Sequence, residues 1–119
     1  MKKLLIIIVL NFVYINSAHS TITVEKYLND KKSEYSPIVA VLENYIWAAG
    51  TAIWWNKIVS TVYKQKTFCP PSDWSPSLDD WINYIDTEIA HAKKKGKYKD
   101  NDKVAFYMSS HLYRIFPCK

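Results

Sequence analysis

The sequence predicts an all-α fold, a small bundle of about four helices closed by one disulfide. Apolar residues recur at helical spacing in four stretches of the chain. Segments rich in proline or lysine separate these stretches, and such segments are typical of loops and helix ends. The chain also has two cysteines, Cys69 and Cys118, far apart in sequence. Together these observations favour one helical domain tied by a single covalent cross-link.

The amino-terminal twenty residues have the pattern of an export signal. Lys2 and Lys3 precede an apolar stretch from Leu4 to Val13, and the small-residue site Ala18-His19-Ser20 follows. A membrane anchor is the alternative, but it needs about 20 apolar residues, and Asn11 already interrupts this shorter stretch. We therefore expect a signal peptide at 1–20, an exported product without a membrane span, and one domain over 21–119.

The charge of the exported part is only mildly basic. The whole chain has 16 Lys/Arg and 11 Asp/Glu, a net charge of +5, and loss of Lys2 and Lys3 lowers this to +3. Six lysines crowd one stretch: Lys93, Lys94, Lys95, Lys97, Lys99 and Lys103. One interpretation is that these lysines attract an anionic surface. The preferred interpretation is that they complement a helix dipole and keep a loop solvated. Nucleic acid is not an expected partner.

Two cysteines in an exported protein are expected to pair. Oxidising compartments favour disulfides, and closing a loop of about 50 residues stabilises a fold by about 4 kcal/mol in the chain-entropy model. A catalytic thiol or a thiolate metal ligand is the alternative. Neither cysteine lies in a Cys-x-x-Cys or Cys-x-x-His arrangement, so the sequence favours the Cys69–Cys118 disulfide.

The helices are assigned from their start signals and apolar stripes. Thr23 is expected to cap a short helix that reaches Lys32, and Ser36-Pro37 to start a long one that ends about Tyr63. The long helix is apolar nearly all round, because Trp47 and Trp54 lie on the side opposite its main stripe. That second side is either buried within the chain or forms an interface with another protein or a second copy.

Two more helices follow the proline-rich loop. Ser77 is expected to cap a third helix, whose buried stripe is Leu78, Trp81, Ile82, Ile85 and Ile89. Asp79 and Asp80 suit its first turn, and Lys93–Lys95 with Gly96 end it. A fourth helix is expected from about Asp102 to Ile115, with Pro117 as its stop signal and Val104, Ala105, Met108, Leu112 and Ile115 as its stripe.

The sequence offers little chemistry for catalysis, so no enzymatic activity, cofactor or metal site is expected. Two glycines are too few for a phosphate-binding loop, and His91 and His111 lack the spacing of metal ligands. Asp86 and Glu88 are interpreted as solvated surface, and both histidines as exposed or half-buried. The remaining signal is aromatic: five Trp and nine Tyr, residue types that dominate protein interfaces but that also fill cores.

Five pieces of the sequence form a recognisable set: the exported start, the segment Tyr45-Ile46-Trp47-Ala48-Ala49-Gly50, the Phe68-Cys69-Pro70 turn, the helix Leu78 to Ile89, and the ending Ala105 through Leu112 to Phe116-Pro117-Cys118. Together they resemble the periplasmic type VI secretion immunity proteins of the Rap/Tai kind. The resemblance implies an α-helical periplasmic protein that binds a cognate antibacterial effector, commonly a peptidoglycan amidase, and blocks its active site. Family members often form homodimers.

The resemblance assigns a structural role only to Gly50 and the two cysteines. Pro70 and Pro117 lie next to these cysteines and are also expected to be structural; the four residues Cys69, Pro70, Pro117 and Cys118 are called the cysteine frame. The Ile53-Trp54-Trp55 cluster and the lysine-rich loop depart from the family pattern. Trp47, Trp54 and Trp55 are our own candidates for contact with a partner. Two alternatives stay open: an acid-stress chaperone similar to the HdeA type, and an adaptor that uses Lys93 to Lys103 on an envelope surface.

Overall fold

The computed structural model describes residues 22–62 and 68–119, without the side chains of residues 57–62. Within these ranges lie four helices and no strand: α1 (Val24–Lys31), α2 (Ser36–Val62), α3 (Leu78–Lys94) and α4 (Val104–Ile115). The prediction of a small all-α bundle is confirmed. The signal peptide at 1–20 and the end of the long helix at Tyr63 lie outside the described residues.

Two helix starts, those of α1 and α3, follow the expected capping chemistry, and the other two are shifted. Helix α4 begins at Val104 rather than at about Asp102, and Lys103 before it makes no side-chain capping bond. Thr23 caps α1, since its Oγ1 accepts a hydrogen bond from the backbone N–H of Lys26 at 3.2 Å. At α3, Ser77 and Asp80 form a reciprocal capping box, each side chain accepting from the backbone N–H of the other. The long helix α2 begins at Ser36, one residue earlier than predicted, and the Tyr35 carbonyl accepts its first bonds.

The helix ends also have identifiable causes. Gly96, just beyond α3, adopts the left-handed conformation with φ +67°, which L side chains rarely adopt. At the end of α4, the N–H of Phe116 still bonds to the Leu112 carbonyl at 2.9 Å, and Pro117 follows. None of the helices in the two described ranges has both the length and the apolar character needed to cross a bilayer.

The core lies between α3 and α4, which share the most extensive helix contact, and is covered by α1 and α2. Aromatic rings occupy much of it, in keeping with the composition. Its buried apolar residues are Val24, Tyr27, Leu42, Ile46, Phe68, Trp81, Ile85, Ile89, Val104, Tyr107, Met108 and Leu112. The expected stripe of α4 is partly wrong: Tyr107 is buried in place of the half-buried Ala105, and Ile115 is exposed.

Backbone hydrogen bonds attach α1 to the segment before α4. Thr23 and Lys103 form an isolated antiparallel bridge, and Val24 N–H donates to the Asp102 carbonyl at 2.8 Å. The Tyr27 hydroxyl then donates to Asp86 Oδ1 of α3 at 2.7 Å. Asp86 also pairs with Lys31. A helix of only eight residues is thus held by polar contacts at both of its ends.

The disulfide between Cys69 and Cys118 is present, as predicted, with 5.0 Å between the two Cα atoms. A backbone bond from Cys69 N–H to the Phe116 carbonyl at 2.7 Å runs beside it. Pro70 follows Cys69 and Pro117 precedes Cys118, and both prolines lie outside the helices. The segment after α4 is therefore attached to the loop that leads into α3.

Candidate functional site

The outward side of α2 is an unusually apolar exposed surface. Trp47 and Trp55 keep 51% and 56% of their accessible area, and Val41 keeps 67%. Ala48 and Ala52 are exposed between them. From Ser36 to Asn56 the only formally charged residue is Glu43. Solvated helix faces normally carry many charges, so this face, here called the α2 surface, is chemically suited to contact another molecule.

A groove runs along one edge of the α2 surface. It has a volume of about 220 Å³ and lies between α2 and the loop that precedes α3. The α2 side is formed by Trp47, Gly50, Thr51 and Trp54, the loop side by Ser75 and Pro76, and the base by Trp81 of α3. Three indoles, a proline ring and two hydroxyls line it, and no charged side chain does. We refer to it as the indole groove.

The base of the indole groove depends on Gly50. This glycine is buried, and a Cβ added to it would lie 2.4 Å from Cε2 and Nε1 of Trp81. A real carbon atom cannot approach that closely, so only glycine lets α2 pack directly on the Trp81 ring. Trp81 itself is 1% exposed. Gly50 therefore allows a close contact between the helix and the ring.

Edge-to-face aromatic pairs support the loop wall of the groove from behind. Trp74 packs at 5.7 Å against both Phe68 and Trp81, and at 5.8 Å against Phe116, measured between ring centroids. Such pairs each add about 0.5–1.5 kcal/mol beyond the area they bury. Because Phe68 directly precedes Cys69 and Phe116 lies two residues before Cys118, the cross-link and this loop form one packed unit.

The three tryptophans proposed as partner contacts are divided between the indole groove and the exposed surface beside it. Trp47 and Trp54 are both groove residues, whereas Trp55 lies outside it on the exposed α2 surface. Trp54 and Trp55 contact each other edge to face, with centroids 5.3 Å apart. Sequence reasoning missed Ser75, Pro76 and Trp81 as groove residues. The signal for Trp81 was a glycine in the interior of a helix, which marks a close approach.

A buried polar cluster on α3 and α4 corrects two sequence interpretations. Glu88 is 8% exposed rather than solvated, and His111 is 5% exposed rather than exposed or half-buried. Arg114 donates from Nε to Glu88 Oε2 at 3.1 Å, and its Nη2 lies 3.0 Å from the same oxygen. This ion pair explains how a carboxylate can be buried. Tyr84 stacks on the His111 ring at 4.9 Å.

The environment of His111 favours its neutral form. Burial lowers its pKa most, the Arg114 charge lowers it further, and the nearby Glu88 carboxylate acts in the opposite direction. A histidine whose folded pKa lies below its unfolded value of 6.5 takes up its proton more readily in the unfolded chain. Its contribution to stability is therefore present above pH 6.5 and is lost as the pH falls toward the folded pKa.

A second cavity lies beside this cluster, between the end of α3 and α4. Its volume is about 460 Å³, and it is lined by Glu88, His91, Ala92, Lys95, Lys97, Phe106, Tyr107 and Ser110. His111 is not part of the lining. The described residues contain no cluster of three or more His, Cys, Asp or Glu side chains suited to a metal ion.

The comparisons with known proteins add no relative. No protein-family model, curated protein or solved structure matches the chain.

Proposed function

We propose that the chain is an exported immunity protein that binds a cognate antibacterial effector, of the peptidoglycan amidase or hydrolase class, and occludes its active site in the periplasm. In this proposal the chain performs no catalysis. The protein is a rigid platform whose α2 surface is its binding element, and the sequence resemblance to the Rap/Tai immunity proteins supplies the class of partner.

The observation that carries the proposal is the exposed α2 surface itself. Trp47 and Trp55 are large, stiff and more than half exposed, which is costly in a protein that binds nothing. Tryptophan is the residue type most enriched among interface hot spots. From Val41 to Trp55 the helix rises about 21 Å, which is enough to span an enzyme cleft. Docking a rigid helix also loses little conformational entropy.

The disulfide fits the proposed compartment. Disulfides persist in oxidising environments, of which the bacterial periplasm is one. The Cys69–Cys118 cross-link supports the loop wall of the indole groove through Phe68 and Phe116, so the binding element is expected to be complete only after export and oxidation.

A second copy of the chain is the other proposed occupant of the α2 surface. A homodimer would cover apolar area that the monomer exposes, and the effector would then bind to the remaining surface. Analytical ultracentrifugation of the oxidised product separates the two arrangements. A dimer that dissociates in Trp55→Ala would assign Trp55 to the contact between copies rather than to the effector.

The decisive experiment measures binding to the secreted product of the neighbouring gene. We expect a one-to-one complex and relief of its toxicity when the chain is exported with it. The double variant Trp47→Ala/Trp55→Ala is expected to weaken the complex by at least about 30-fold, the effect of losing one hot spot. Phe106→Ala, which removes an aromatic ring that is 62% exposed on α4, is the matched control and is expected to bind normally.

The proposal fails if the neighbouring gene encodes no secreted hydrolase and pull-downs from sibling cells recover no partner. The assignment of the α2 surface as the binding element fails separately, if the complex forms but tolerates the double tryptophan variant as well as it tolerates Phe106→Ala. In the second case the chain binds its partner through another face.

An acid-stress chaperone similar to the HdeA type is the second candidate, and the buried cluster favours it. Burial lowers the pKa of His111, which lies beside the buried Glu88–Arg114 ion pair, so protonation of His111 in acid is expected to weaken the α3–α4 contact. A chaperone of this class exposes apolar surface at low pH. Binding of a hydrophobic dye that stays flat between neutral pH and about pH 2 would exclude this function.

A further inference from the structure

We propose that the indole groove binds the arginine side chain of a partner protein. The inference deepens the proposed function, on which it rests, by naming the chemistry of the partner segment that docks beside α2. It follows from two independent properties of the groove, namely its aromatic lining and the charge of the two segments that form it.

The lining is suited to a flat cation. Trp47 and Trp54 present their rings from α2, and Trp81 closes the base of the groove. Tryptophan is the strongest cation–π partner among the side chains, because its ring face carries negative charge density. The Thr51 and Ser75 hydroxyls add hydrogen-bond acceptors at the groove wall. A guanidinium group can stack on an indole and donate to such acceptors at the same time.

Negative charge predominates in the two segments that line the groove, and Lys57 of α2 follows directly after the first of them. The two segments that form it, Ser36 to Asn56 and Phe68 to Ile82, contain Glu43, Asp73, Asp79 and Asp80 and no lysine or arginine. The whole chain has a net charge of +5, so this local negative charge opposes the overall balance. All four carboxylates are on exposed residues. Glu43 also lines a separate cavity with Lys31, and Asp80 belongs to the Ser77 capping box, so Asp73 and Asp79 are the carboxylates expected to favour a cation near the groove.

Arginine fits these two properties better than the other ligand classes. A carboxylate or phosphate would be repelled by Asp73 and Asp79 and would find no basic partner in the lining. A neutral proline or sugar ring would suit the indoles but would gain nothing from the charge. Lysine has a strongly hydrated ammonium group that stacks poorly, whereas the guanidinium group is planar and weakly hydrated.

The test uses the oxidised exported protein, labelled with ¹⁵N, and small amides in place of the partner. N-acetyl-arginine amide is titrated while the indole Nε1–H signals are followed by NMR at constant ionic strength. N-acetyl-citrulline amide is the matched neutral probe, since it has nearly the same shape without the charge. N-acetyl-lysine amide tests the other cation.

We expect the arginine amide to shift the signals of the groove tryptophans and to bind about 3- to 30-fold more tightly than the citrulline amide, the range of cation–π effects at partly exposed sites. Asp73→Asn/Asp79→Asn, a change of two exposed carboxylates, should weaken arginine binding and leave citrulline binding unchanged. Trp54→Leu should abolish the difference between the two amides, and Trp55→Leu, just outside the groove, should preserve it.

Equal binding of the arginine and citrulline amides would overturn the proposal, as would a response confined to Trp55. Tighter binding of the lysine amide would also overturn it, because the site would then select an ammonium group. If the small probes fail while the effector complex forms and depends on Trp47 and Trp55, only this inference is lost. If the probes bind and no effector is found, only the proposed partner is lost.

Discussion

Replacing Gly50 by alanine is expected to destabilise the protein by about 2 kcal/mol, although alanine is the better helix former. The added Cβ would lie 2.4 Å from Cε2 and Nε1 of Trp81 and 2.7 Å from its Cδ1. Carbon atoms pack at about 3.5–4.0 Å, so the ring or the helix must move by roughly 1 Å or more. Trp81 has little freedom to move, because Trp74 and Tyr84 contact it edge to face.

The magnitude follows from two opposing effects. Overpacking a filled core costs about 1–3 kcal/mol, and a rigid ring enclosed by other rings favours the upper end of that range. Replacing glycine by alanine inside a helix returns about 1 kcal/mol. The difference, about 2 kcal/mol, corresponds to a melting temperature lowered by about 8–16 °C for a domain of this size.

Urea unfolding followed by tryptophan fluorescence measures the change, with two control variants. Ala52→Gly, at an exposed site on the same helix, isolates helix propensity and is expected to cost about 1 kcal/mol. Trp81→Leu removes the ring that the Cβ meets, so Gly50→Ala should cost much less in that background than in the natural one. A Gly50→Ala protein as stable as the natural one would refute the close-contact reasoning.

Three further predictions concern stability. Cys69→Ser/Cys118→Ser should lose about 4 kcal/mol in urea, as loop closure over the 49-residue separation requires, and a loss below 1 kcal/mol would contradict it. The free energy of unfolding should rise with pH through the His111 titration, by at most about 1.4 kcal/mol per pH unit, and His111→Gln should flatten that slope. Ser77→Ala should cost about 1 kcal/mol through loss of the α3 capping box, whereas Ser72→Ala, in the loop, should be neutral.

Local sequence signals were sufficient for the helices and the cross-link. Thr23, Ser77 and Gly96 act through neighbours within four residues along the chain, and capping depends on nothing more distant. The cysteine pairing was accessible for a different reason, because two cysteines allow only one intramolecular pair. The apolar stripe of α3 was also correct, since Trp81, Ile85 and Ile89 are buried.

The errors arose where a distant residue decides the outcome. Glu88 is buried because Arg114, 26 residues later, neutralises it, and no local pattern reveals that pair. His111 is buried in the same cluster. The indole groove was also out of reach, because it joins Trp47 and Trp54 to Pro76 across two segments whose relative placement the sequence does not give. The predicted apolar stripe of α3 assigned Trp81 to the core alone, so the sequence did not indicate that Trp81 also lines the groove.

The aromatic packing behind the groove has a consequence for how the molecule opens. Residues 71–77 have no regular secondary structure, and such loops usually fluctuate independently of the core. Here Trp74 contacts Phe68 and Phe116, which lie near the two ends of the cross-link, and Trp81 of α3. The loop therefore cannot detach while those three rings remain in place. The loop should therefore unfold together with α3 and α4 as a single cooperative unit. Slow amide exchange in an irregular segment would then record global unfolding rather than local motion.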